Sequence, residues 1–582
     1  MLKKLLVWIK GLMLKTKFTT VLGIFLKWLL RVGPKGAASH VKHFVAFDRQ
    51  KIAVDISKEE REKEENFAFK NGVKFSVLVP LYNTPRDFLS EMIESVLGQT
   101  YKNFELCLAD GSDNGHSFVG DVCLRYAQSD DRIKYRKLEK NKGISENTNE
   151  CIDMATGDYI ALFDHDDLLH PSALFKVAVA IEEENADFIY TDEFTFDGSR
   201  GPKAVIAKHY KPDFSYDNLL ANNYICHFSV FRASLIDKVG GFRTKYDGSQ
   251  DHDMILRLTS ASKKIVHIPE LLYFWRSHKN SVAMDIGSKM YAVESGINLV
   301  KDHLKEKGIA ATVVSSPAFP TIYRINYEIK SNPLVSIIVS AKTEANARKT
   351  IRNILENTDY GNLEIVISVP KNFKTDFENV KVLGVDGDLA IPSVYNLSAK
   401  AASGDYLLFL NENAVPQNRE WLTEMLGFAQ LERIGAVGCK VINKNKTVKS
   451  IGKIIGFGDK VTAERYEGTD KSELGYFGKL FYSQNVSAVA SDCFAIKKSD
   501  FFAVNGFDEE YQKSLFDTDI CLKLLDKQKK NIVNPFAVVL SEGMADKSNS
   551  HDESLFKSKW SDFLEKGDPY FNKSLPEGYY YF

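Results

Sequence analysis

Three aspartates directly follow a short apolar run in the first third of the chain. Residues 159–163 are apolar, as in a strand buried in a parallel sheet, and Asp164, Asp166 and Asp167 follow at once. Carboxylates this close repel one another, so the group requires a counter-charge. On an extended backbone Asp164 and Asp166 point to the same side, so we expect them to share one Mg²⁺ or Mn²⁺ ion that holds a diphosphate. The alternative is an exposed acidic turn in which Asp167 caps the next helix.

The elements before this run must bring further polar groups to the same edge of a sheet. The sequence predicts a strand at 76–80, a helix at 88–97 and a second strand at 104–109, which together make a right-handed βαβ unit. A turn at 141–143 and a helix at 145–155 then lead into the acidic strand. In an open α/β sheet, ligands bind at the carboxyl ends of the strands.

The neighbouring residues argue against three other uses of an acidic strand end. Neither of the first two strands is followed by Gly-x-Gly-x-x-Gly, which disfavours dinucleotide binding. A nucleotidyltransferase would carry a glycine-rich phosphate loop after its first strand, and residues 80–85 are not such a loop. A phosphatase with an Asp-x-Asp nucleophile would have Thr or Val soon after the pair, where this chain has Leu168 and Leu169.

Length and composition indicate a globular protein of at least two domains. The chain has 582 residues, which is too long for one core. Of these residues 44% are hydrophobic and 26% are charged, fractions that are ordinary for a soluble globular protein. A net charge of −1 gives no indication that nucleic acid is a partner. The seven cysteines include no Cys-x-x-Cys pair, which predicts reduced thiols in a cytosolic compartment rather than a disulfide framework or a zinc site.

The first 50 residues are basic and amphipathic. No acid precedes Asp48, lysines recur among apolar residues at helical spacing, and no apolar run reaches the roughly 18 residues of a spanning helix. This pattern predicts a helical segment, residues 1–50, that lies in the membrane interface and holds the protein peripherally at the cytoplasmic face of the cell membrane. The alternatives are a signal peptide and a helix docked on the protein itself. Residues 51–74 carry a mixed-charge run and are predicted to be a linker.

A series of short motifs extends from the first predicted strand to residue 253. The motifs are Val-Pro-x-Tyr-Asn at 79–83, Asp-Gly-Ser at 110–112, Asn-Lys-Gly at 141–143, Asn149, the block 157–167, Val-Gly-Gly-Phe at 239–242 and Gln-Asp-His-Asp at 250–253. Each motif alone is weak, but their order and spacing are specific. Together they resemble a family-2 glycosyltransferase domain of the GT-A fold, here residues 75–285.

The resemblance implies a set of residues that bind a nucleotide-sugar donor. Tyr82 would stack on the base, and Asp110 would accept a hydrogen bond from a ring N–H. Asp164 would lie near the ribose as well as the metal. The full set implied for the donor is Pro80, Tyr82, Asn83, Asp110, Asn141, Lys142, Gly143, Asn149, Asp164 and His165.

The resemblance also implies a metal site. Asp166 would be the principal ligand of the cation on the diphosphate, with Asp164 beside it and His278 within reach of the metal or the diphosphate. A divalent cation, Mg²⁺ or Mn²⁺, would neutralise the leaving diphosphate. The alternative for His278 is a structural role.

Asp251 matches the catalytic base of the family. An inverting transfer needs one carboxylate to take the proton of the acceptor hydroxyl as its oxygen attacks the anomeric carbon. The family often has Glu-Asp where this chain has Gln250 and Asp251, which removes a possible acceptor contact and leaves the base. The alternative is that Asp251 and Asp253 cap the N-terminus of a helix.

After a helical connector at 286–332, the pattern of the first domain starts again. A second domain of the same fold is therefore expected at 333–545, followed by an aromatic-rich tail at 546–582 that packs on it. Its chemistry is eroded, because Lys342 stands in place of the stacking tyrosine, and Asn411 and Asn413 stand in place of the metal carboxylates. We interpret it as a non-catalytic or much altered copy, with a second, metal-independent transferase as the alternative.

The two-domain arrangement resembles bacterial enzymes that build cell-wall rhamnose polysaccharides, notably those of the streptococcal type. The resemblance implies an inverting, metal-dependent glycosyltransferase that moves L-rhamnose from dTDP-rhamnose onto a lipid-linked saccharide. The alternatives are a carbohydrate-binding scaffold in a polysaccharide-assembly complex and a bifunctional transferase with two active domains.

Overall fold

The computed structural model describes residues 52–278, 290–316, 319–370, 373–385, 389–458, 460–541 and 549–575. These residues divide into two compact units. The N-terminal unit comprises the described residues up to 309 together with 313–315, and the C-terminal unit comprises 310–312 and the residues from 316 onward. The predicted amphipathic segment at 1–50 lies outside the described residues.

The N-terminal unit alternates strands and helices along the chain, as the βαβ pattern predicts. Its helices are α1 (Lys58–Glu65), α2 (Arg86–Leu97), α3 (Phe118–Ser129), α4 (Ile144–Ile152), α5 (Ala173–Glu184), α6 (Tyr216–Ala221), α7 (Ile236–Val239), α8 (Gln250–Ala261) and α9 (Met290–Glu306). Its strands are β1 (Phe75–Leu81), β2 (Phe104–Asp110), β3 (Ile133–Lys137), β4 (Tyr159–Leu162), β5 (Leu168–Leu169), β6 (Phe188–Asp197), β7 (Val205–His209), β8 (Ser229–Arg232) and β9 (Ile265–Ser277).

These strands form one mixed sheet in the order β3-β2-β1-β4-β8-β6-β9-β5, with β7 paired to β6. Strands β3, β2, β1 and β4 are parallel to one another, and β8 is antiparallel to both β4 and β6. Every residue of β1 and β2 is buried, because helices cover both faces of the parallel part. The carboxyl ends of β1, β2 and β4 therefore meet at one edge.

The start of β4 is fixed to β1 by a close backbone approach. A Cβ atom at Gly157 would lie 2.7 Å from the carbonyl oxygen of Lys74 and 2.8 Å from the nitrogen of Ser76. The Ser76 hydroxyl accepts from the Gly157 N–H at 2.9 Å and donates to the buried Glu105 at 2.7 Å. Only glycine fits at this position, and it sets the register of the strand that ends in the acidic cluster.

The C-terminal unit follows a strand hairpin made of β10 (Ala311–Ser316) and β11 (Phe319–Tyr327). Its helices are α10 (Glu344–Glu356), α11 (Ile391–Ala401), α12 (Trp421–Ala429), α13 (Lys498–Ala503), α14 (Phe516–Asp526), α15 (Ser550–Lys559) and α16 (Ser561–Lys566). Its strands are β12 (Val335–Ser340), β13 (Leu363–Pro370), β14 (Val380–Val385), β15 (Tyr406–Asn411), β16 (Ala414–Pro416), β17 (Ile434–Ile442), β18 (Val448–Ser450), β19 (Lys453–Phe457), β20 (Lys460–Glu464), β21 (Gln484–Val486), β22 (Cys493–Lys497) and β23 (Lys530–Ser541).

The main sheet of the C-terminal unit repeats the topology of the first. Its order is β14-β13-β12-β15-β22-β17-β23-β16, which matches the first sheet strand for strand; β18 pairs with β17 as β7 does with β6, and β21 is added beside β23. The close approach at the start of β4 also recurs, since the Ser336 hydroxyl accepts from the Gly404 N–H at 2.8 Å and donates to Glu364 at 2.6 Å. The predicted α/β class and the tandem repeat of one fold are confirmed.

The described part of the tail belongs to the C-terminal unit. The buried carboxylate of Asp568 accepts from the Ile455 N–H at 2.9 Å and from the Ser487 hydroxyl at 2.6 Å. The ring of Phe571 packs edge-on against Phe457. The expectation that the tail packs on the second domain is confirmed for these residues.

In the residues that the structure describes, we find no helix both long and apolar enough to cross a bilayer.

Candidate active site

The end of β1 presents one exposed aromatic ring. Tyr82 is 46% exposed, whereas Pro80, two residues earlier, is buried in β1. Asn83 adopts φ +51°, and its amide donates to Asp113 at 2.8 Å while its backbone N–H donates to the Ser112 hydroxyl at 2.9 Å. Asn83 thus links the loop after β1 to the loop after β2, and these hydrogen bonds fix the position of the Tyr82 ring.

Asp110, at the end of β2, is wholly buried and already well bonded. Its carboxylate accepts from the Ser112 N–H at 2.8 Å, from the Tyr135 hydroxyl at 2.8 Å and from the Lys137 ammonium at 3.1 Å. Burial, and then the bond to Asp110, raise the pKa of Tyr135, so the phenol stays a donor. A carboxylate has about four acceptor positions, so one more N–H can be accommodated.

The Asn-Lys-Gly turn at 141–143 is held by its own side chains. Asn141 accepts from the Gly143 N–H at 3.0 Å and from the Asn147 amide at 2.9 Å, and Gly143 takes φ +90° in front of α4. The Lys142 ammonium donates to Glu150 at 2.7 Å, and this contact raises the pKa of the lysine. The turn is therefore a rigid part of the edge.

Asn149 has a structural contact that its predicted donor role did not include. Its amide donates to the Phe242 carbonyl at 3.0 Å and accepts from the Phe242 N–H at 2.8 Å, so both halves of the amide are used. In the C-terminal unit, Asn396 makes the same double contact with Phe507, at 2.9 and 3.0 Å. The pair persists where the donor residues have changed, so this contact holds the shape of the domain, and the donor role of Asn149 stays a prediction.

The chain turns after the acidic strand sooner than the apolar run predicts. Strand β4 ends at Leu162, and residues 165 and 166 form a turn. The strand alternation that was expected to place Asp164 and Asp166 on one side therefore does not apply. Instead, each aspartate lies beside a different histidine.

Asp164 and His227 form the first acid–histidine pair. The Asp164 carboxylate, 51% exposed, lies 3.3 Å from Nε2 of His227, whose Nδ1 lies 3.2 Å from the buried Glu193. The partial loss of water around Asp164 raises its pKa, but the contact with His227, and the charge of His165, lower it more, so the net shift is downward. Burial lowers the pKa of His227, yet Asp164 and Glu193 outweigh it and raise that pKa well above its ordinary value.

Glu193 is the buried centre of a small charge network. It lies 3.1 Å from the ammonium of the wholly buried Lys211 and 3.0 Å from Nδ1 of His209. Burial raises the pKa of Glu193, but Lys211, His209 and His227 lower it more, and the net shift is well below the ordinary value. The network fixes the ring of His227 toward Asp164.

Sequence reasoning missed this network, although one signal pointed to it. Asp192 and Glu193 lie inside β6, a strand whose other described positions are mostly apolar and buried. Two acids in such a strand require buried partners. Asp192 has them in the backbone N–H of Lys211 at 2.8 Å and in His267 at 2.9 Å.

Asp166 and His278 form the second acid–histidine pair. Oδ2 of Asp166 lies 2.8 Å from Nε2 of His278, and the two side chains are 22% and 21% exposed. The predicted partners Asp166 and His278 are therefore together. The backbone carbonyl of Asp166 also accepts from the buried guanidinium of Arg276, which holds the turn in place.

Asp167 is a structural acid and caps no helix. It accepts from the Arg276 N–H at 2.7 Å and from the Tyr273 hydroxyl at 2.5 Å, and α5 starts only after Ser172. Burial and the neighbouring aspartates raise the pKa of Asp167 well above its ordinary value. The alternative that Asp167 caps the following helix is wrong, because its oxygens bond to β9 instead.

The residues at this edge fit a divalent cation. One ligand atom from each of Asp164, Asp167 and His227 lies within 4.8 Å of the others. Both oxygens of Asp167 are engaged, so the pair Asp164 and His227 is the more available part of that group. Asp166 with His278 offers a second carboxylate and imidazole. Carboxylates suit Mg²⁺ and Mn²⁺, and an imidazole among the donors favours Mn²⁺ of the two.

Asp251 lies in the first turn of α8, partly open to solvent. One carboxylate oxygen accepts from the Asn223 amide at 2.9 Å, which orients the group and leaves its other oxygen for a proton. Asp253, two residues on, is buried and pairs with Arg243 and with Arg257, the latter at 2.8 Å. Asp251 therefore keeps one carboxylate oxygen for a proton, whereas Asp253 is held in buried ion pairs. The N-cap residue of α8 is Ser249 and not either aspartate.

The C-terminal unit lacks these arrangements at the matching positions. Pairing Val335 with Leu363 and with Tyr406 reproduces the first sheet and sets Val369 at the place of Asp110 and Asn411 at the place of Asp164.

Its Asp517, in the first turn of α14, is buried and paired with the Lys453 ammonium at 2.5 Å. The Asp517 carboxylate also accepts from the Ser491 N–H at 2.8 Å. Asp517 stands in the first turn of its helix, as Asp251 does in the N-terminal unit, but its carboxylate is held in a buried ion pair.

Comparison with known proteins identifies the family. The model of "Glycosyl transferase family 2" matches residues 76–240. "Putative glycosyltransferase EpsE" of Bacillus subtilis is 31% identical over 235 residues, which cover 39% of this chain and 81% of that protein. The chain belongs to the family-2 glycosyltransferases.

Two longer relatives match most of the chain. "Uncharacterized protein y4gI" of Sinorhizobium fredii is 34% identical over 87% of this chain and 58% of its own length. "O-antigen biosynthesis protein RfbC" of Myxococcus xanthus is 30% identical over 86% of this chain and 40% of its own length. The chain thus spans 58% and 40% of these two relatives. Among solved structures, S. aureus TarS 1–349 in complex with UDP-GlcNAc has a TM-score of 0.34 and 19% identity over 40% of this chain and 66% of that one.

Proposed function

We propose that the protein is an inverting, metal-dependent glycosyltransferase that takes a sugar from a nucleoside-diphosphate donor and transfers it to a saccharide acceptor. The observation that carries the proposal is that the N-terminal unit has two acidic sites with different surroundings, one at Asp251 and one at Asp164 and Asp166. Asp251 is oriented by one amide and open on its other side, as a base must be. Asp164 and Asp166 follow the end of β4 and each lies beside a histidine, as ligands for a cation-bound diphosphate would.

We further propose dTDP-rhamnose as the donor and a lipid-linked saccharide of bacterial cell-wall polysaccharide synthesis as the acceptor. The support is the two-domain arrangement and the similarity to a protein named for O-antigen biosynthesis. In this proposal Tyr82 stacks on the base, and Asp110 accepts its ring N–H beside Lys137.

In the reaction, Asp251 accepts the proton of the acceptor hydroxyl while that oxygen attacks the anomeric carbon from the side opposite the diphosphate. Asn223 holds the carboxylate in the orientation this requires. Asp164, Asp166, His227 and His278 would hold the cation, and a bound Mg²⁺ or Mn²⁺ would offset the negative charge that develops on the departing diphosphate.

A screen of nucleotide sugars tests the proposal. The full chain is incubated with dTDP-, UDP-, GDP- and CMP-sugars with and without Mn²⁺, and the released nucleotide is measured. We expect release from one donor class only, with dTDP-rhamnose first among those tested. A protein that binds saccharides but turns over none of the donors would instead be a carbohydrate-binding scaffold.

Replacing Asp166 by Asn is expected to lower metal-dependent turnover by roughly 10²-fold or more, since several kcal/mol of charge stabilisation depend on the cation. The measurements are turnover against Mn²⁺ concentration and Mn²⁺ binding followed by paramagnetic resonance. Asp153→Asn, at an exposed position of the same unit, is the matched control and should keep wild-type values. Wild-type turnover in the presence of a chelator would refute the metal assignment.

Deleting residues 1–45 is expected to release the protein from anionic vesicles. The deletion removes nine basic residues and no acid, and each basic residue near an anionic surface contributes about 1 kcal/mol. Co-sedimentation with phosphatidylserine vesicles measures the effect, with phosphatidylcholine vesicles as the control. Turnover on a soluble acceptor should persist. Vesicle binding that survives the deletion would contradict a peripheral attachment through this segment.

A further inference from the structure

The start of α9 is fixed against the loop that leads into α8. The Ser249 hydroxyl donates to the Ala292 carbonyl at 2.9 Å, and the Ser295 hydroxyl donates to the Asp247 carbonyl at 3.1 Å. The two bonds lie one and four residues after Tyr291 in α9, and they hold the start of that helix against the loop. The ring is therefore placed by the fold and does not hang free from a loop.

The ring of Tyr291 lies against Gly248. A Cβ atom at Gly248 would lie 2.7 Å from Cε2 of Tyr291 and 2.9 Å from Cβ of Ala292. Gly248 also adopts φ +92°, which other residues rarely do. Glycine at this position lets the aromatic ring approach the backbone directly before α8.

More than half of this ring's side chain nevertheless remains open to solvent. Tyr291 is 56% exposed and its neighbour Met290 is 63% exposed, although both are large and apolar. A ring supported on one side by backbone and open on the other is the arrangement on which a sugar packs its apolar C–H face.

The position of the Tyr291 ring indicates that it would contact the acceptor sugar and not the donor sugar. The Gly248 N–H donates to the side-chain oxygen of Gln250 at 2.8 Å, and Asp251 follows in the same first turn of α8. Tyr291 thus lies beside the loop that delivers the proposed base, whereas the residues implied for the nucleotide lie at the ends of β1, β2 and β4. The hydroxyl that loses its proton belongs to the acceptor.

We propose that Tyr291 is the stacking platform of an acceptor-saccharide subsite. This inference rests on the proposed function, because it takes Asp251 as the base. The sugar ring that carries the attacking hydroxyl, or the ring next to it in the chain, packs on Tyr291 and so presents the hydroxyl to Asp251.

The test compares Tyr291→Ala with Tyr291→Phe, using octyl glycosides of rhamnose, N-acetylglucosamine and galactose as acceptor probes. We expect Tyr291→Ala to raise the acceptor KM roughly three- to tenfold with kcat and donor KM near wild type, because the sugar loses the ring on which it packs. Tyr291→Phe keeps the ring and should keep the KM. Met290→Ala, next to it and equally exposed, is the matched control.

A binding measurement separates this inference from the reaction itself. Saturation-transfer NMR should show the ring protons of the preferred octyl glycoside receiving magnetisation from the wild type and from Tyr291→Phe, and not from Tyr291→Ala. An unchanged KM and an unchanged transfer signal in Tyr291→Ala would overturn the subsite. If the wild type releases no nucleotide from any donor while the NMR difference is present, the proposed function and the acceptor role both fail, and Tyr291 is a saccharide-binding residue only.

Discussion

Replacing Asp251 by Asn is expected to lower sugar transfer by about 10²-fold or more, the scale for losing a general base, while donor affinity stays near wild type. The change keeps the shape of the side chain and one oxygen that can accept from Asn223, now at 2.9 Å from the carboxylate. It removes the carboxylate to which the proposed mechanism assigns the proton. Product formation on a defined acceptor and nucleotide binding, both measured on the same preparation, test the two halves of the prediction.

The result would separate a base from a structural acid. Asp253→Asn provides the comparison within the same helix, because Asp253 is buried between Arg243 and Arg257 and its loss should appear in the unfolding temperature. If Asp251→Asn instead abolished donor binding, Asp251 would be a donor contact and the proton would need another acceptor.

The repeated fold could be read from the sequence because its signals are local. Apolar runs, turns and the Gly-Asp-Tyr sequences at 157–159 and 404–406 recur at matching places in the two units. Gly157 and Gly404 are required by backbone approaches under 3 Å, so the same residue type appears twice for the same reason.

The residue at which β4 ends could not be predicted from the sequence in the same way. The apolar run continues to Phe163, but the strand stops at Leu162, because the turn at 165–166 is stabilised by groups that are distant along the chain. Arg276, which bonds the Asp166 carbonyl, is 110 residues away. Hydrophobic periodicity carries no information about such a partner.

The charge network behind Asp164 was missed for a related reason. His227 lies 34 residues from Glu193, and Lys211 lies 18 residues from it, on separate elements. Single histidines and lysines are common, and only the buried acid in β6 distinguishes these. A search for acids inside apolar strands would have found Glu193, and its need for buried cations would have suggested the rest.

The buried ion pair of the C-terminal unit leads to the second large expected effect. Asp517 and Lys453 are both buried and lie 2.5 Å apart, with Glu464 4.0 Å from the same ammonium. Burial lowers the pKa of Lys453, but Asp517 and Glu464 outweigh it and raise that pKa above its ordinary value. Burial raises the pKa of Glu464 to about 7, so near neutral pH this second acid is only partly charged and Asp517 is the main partner of the lysine.

Replacing Asp517 by Asn is therefore expected to lower the free energy of unfolding by about 3 kcal/mol, because a buried ammonium loses its counter-charge. Chemical denaturation measures the loss. The double variant Asp517→Asn with Lys453→Met removes both charges and should recover most of it, since replacing a buried ion pair by apolar groups is often close to neutral. Asp517→Asn that unfolds like the wild type would mean that the pair contributes little.

The same variant decides whether the C-terminal unit transfers sugar. A base must be free to take a proton, and Asp517 is bonded to Lys453 and to the Ser491 N–H, while Asp251 has a single amide partner. Asp517 lies in the first turn of its helix, as Asp251 does, but its side chain is buried in the core of the C-terminal unit. We expect Asp517→Asn, assayed well below its unfolding temperature, to add as many sugars to a defined acceptor as the wild type does, and Asp251→Asn to add almost none. A product that stops one sugar short in Asp517→Asn would show that the second domain is an active transferase, because only a lost base, and not a lost ion pair, would remove one transfer and spare the other.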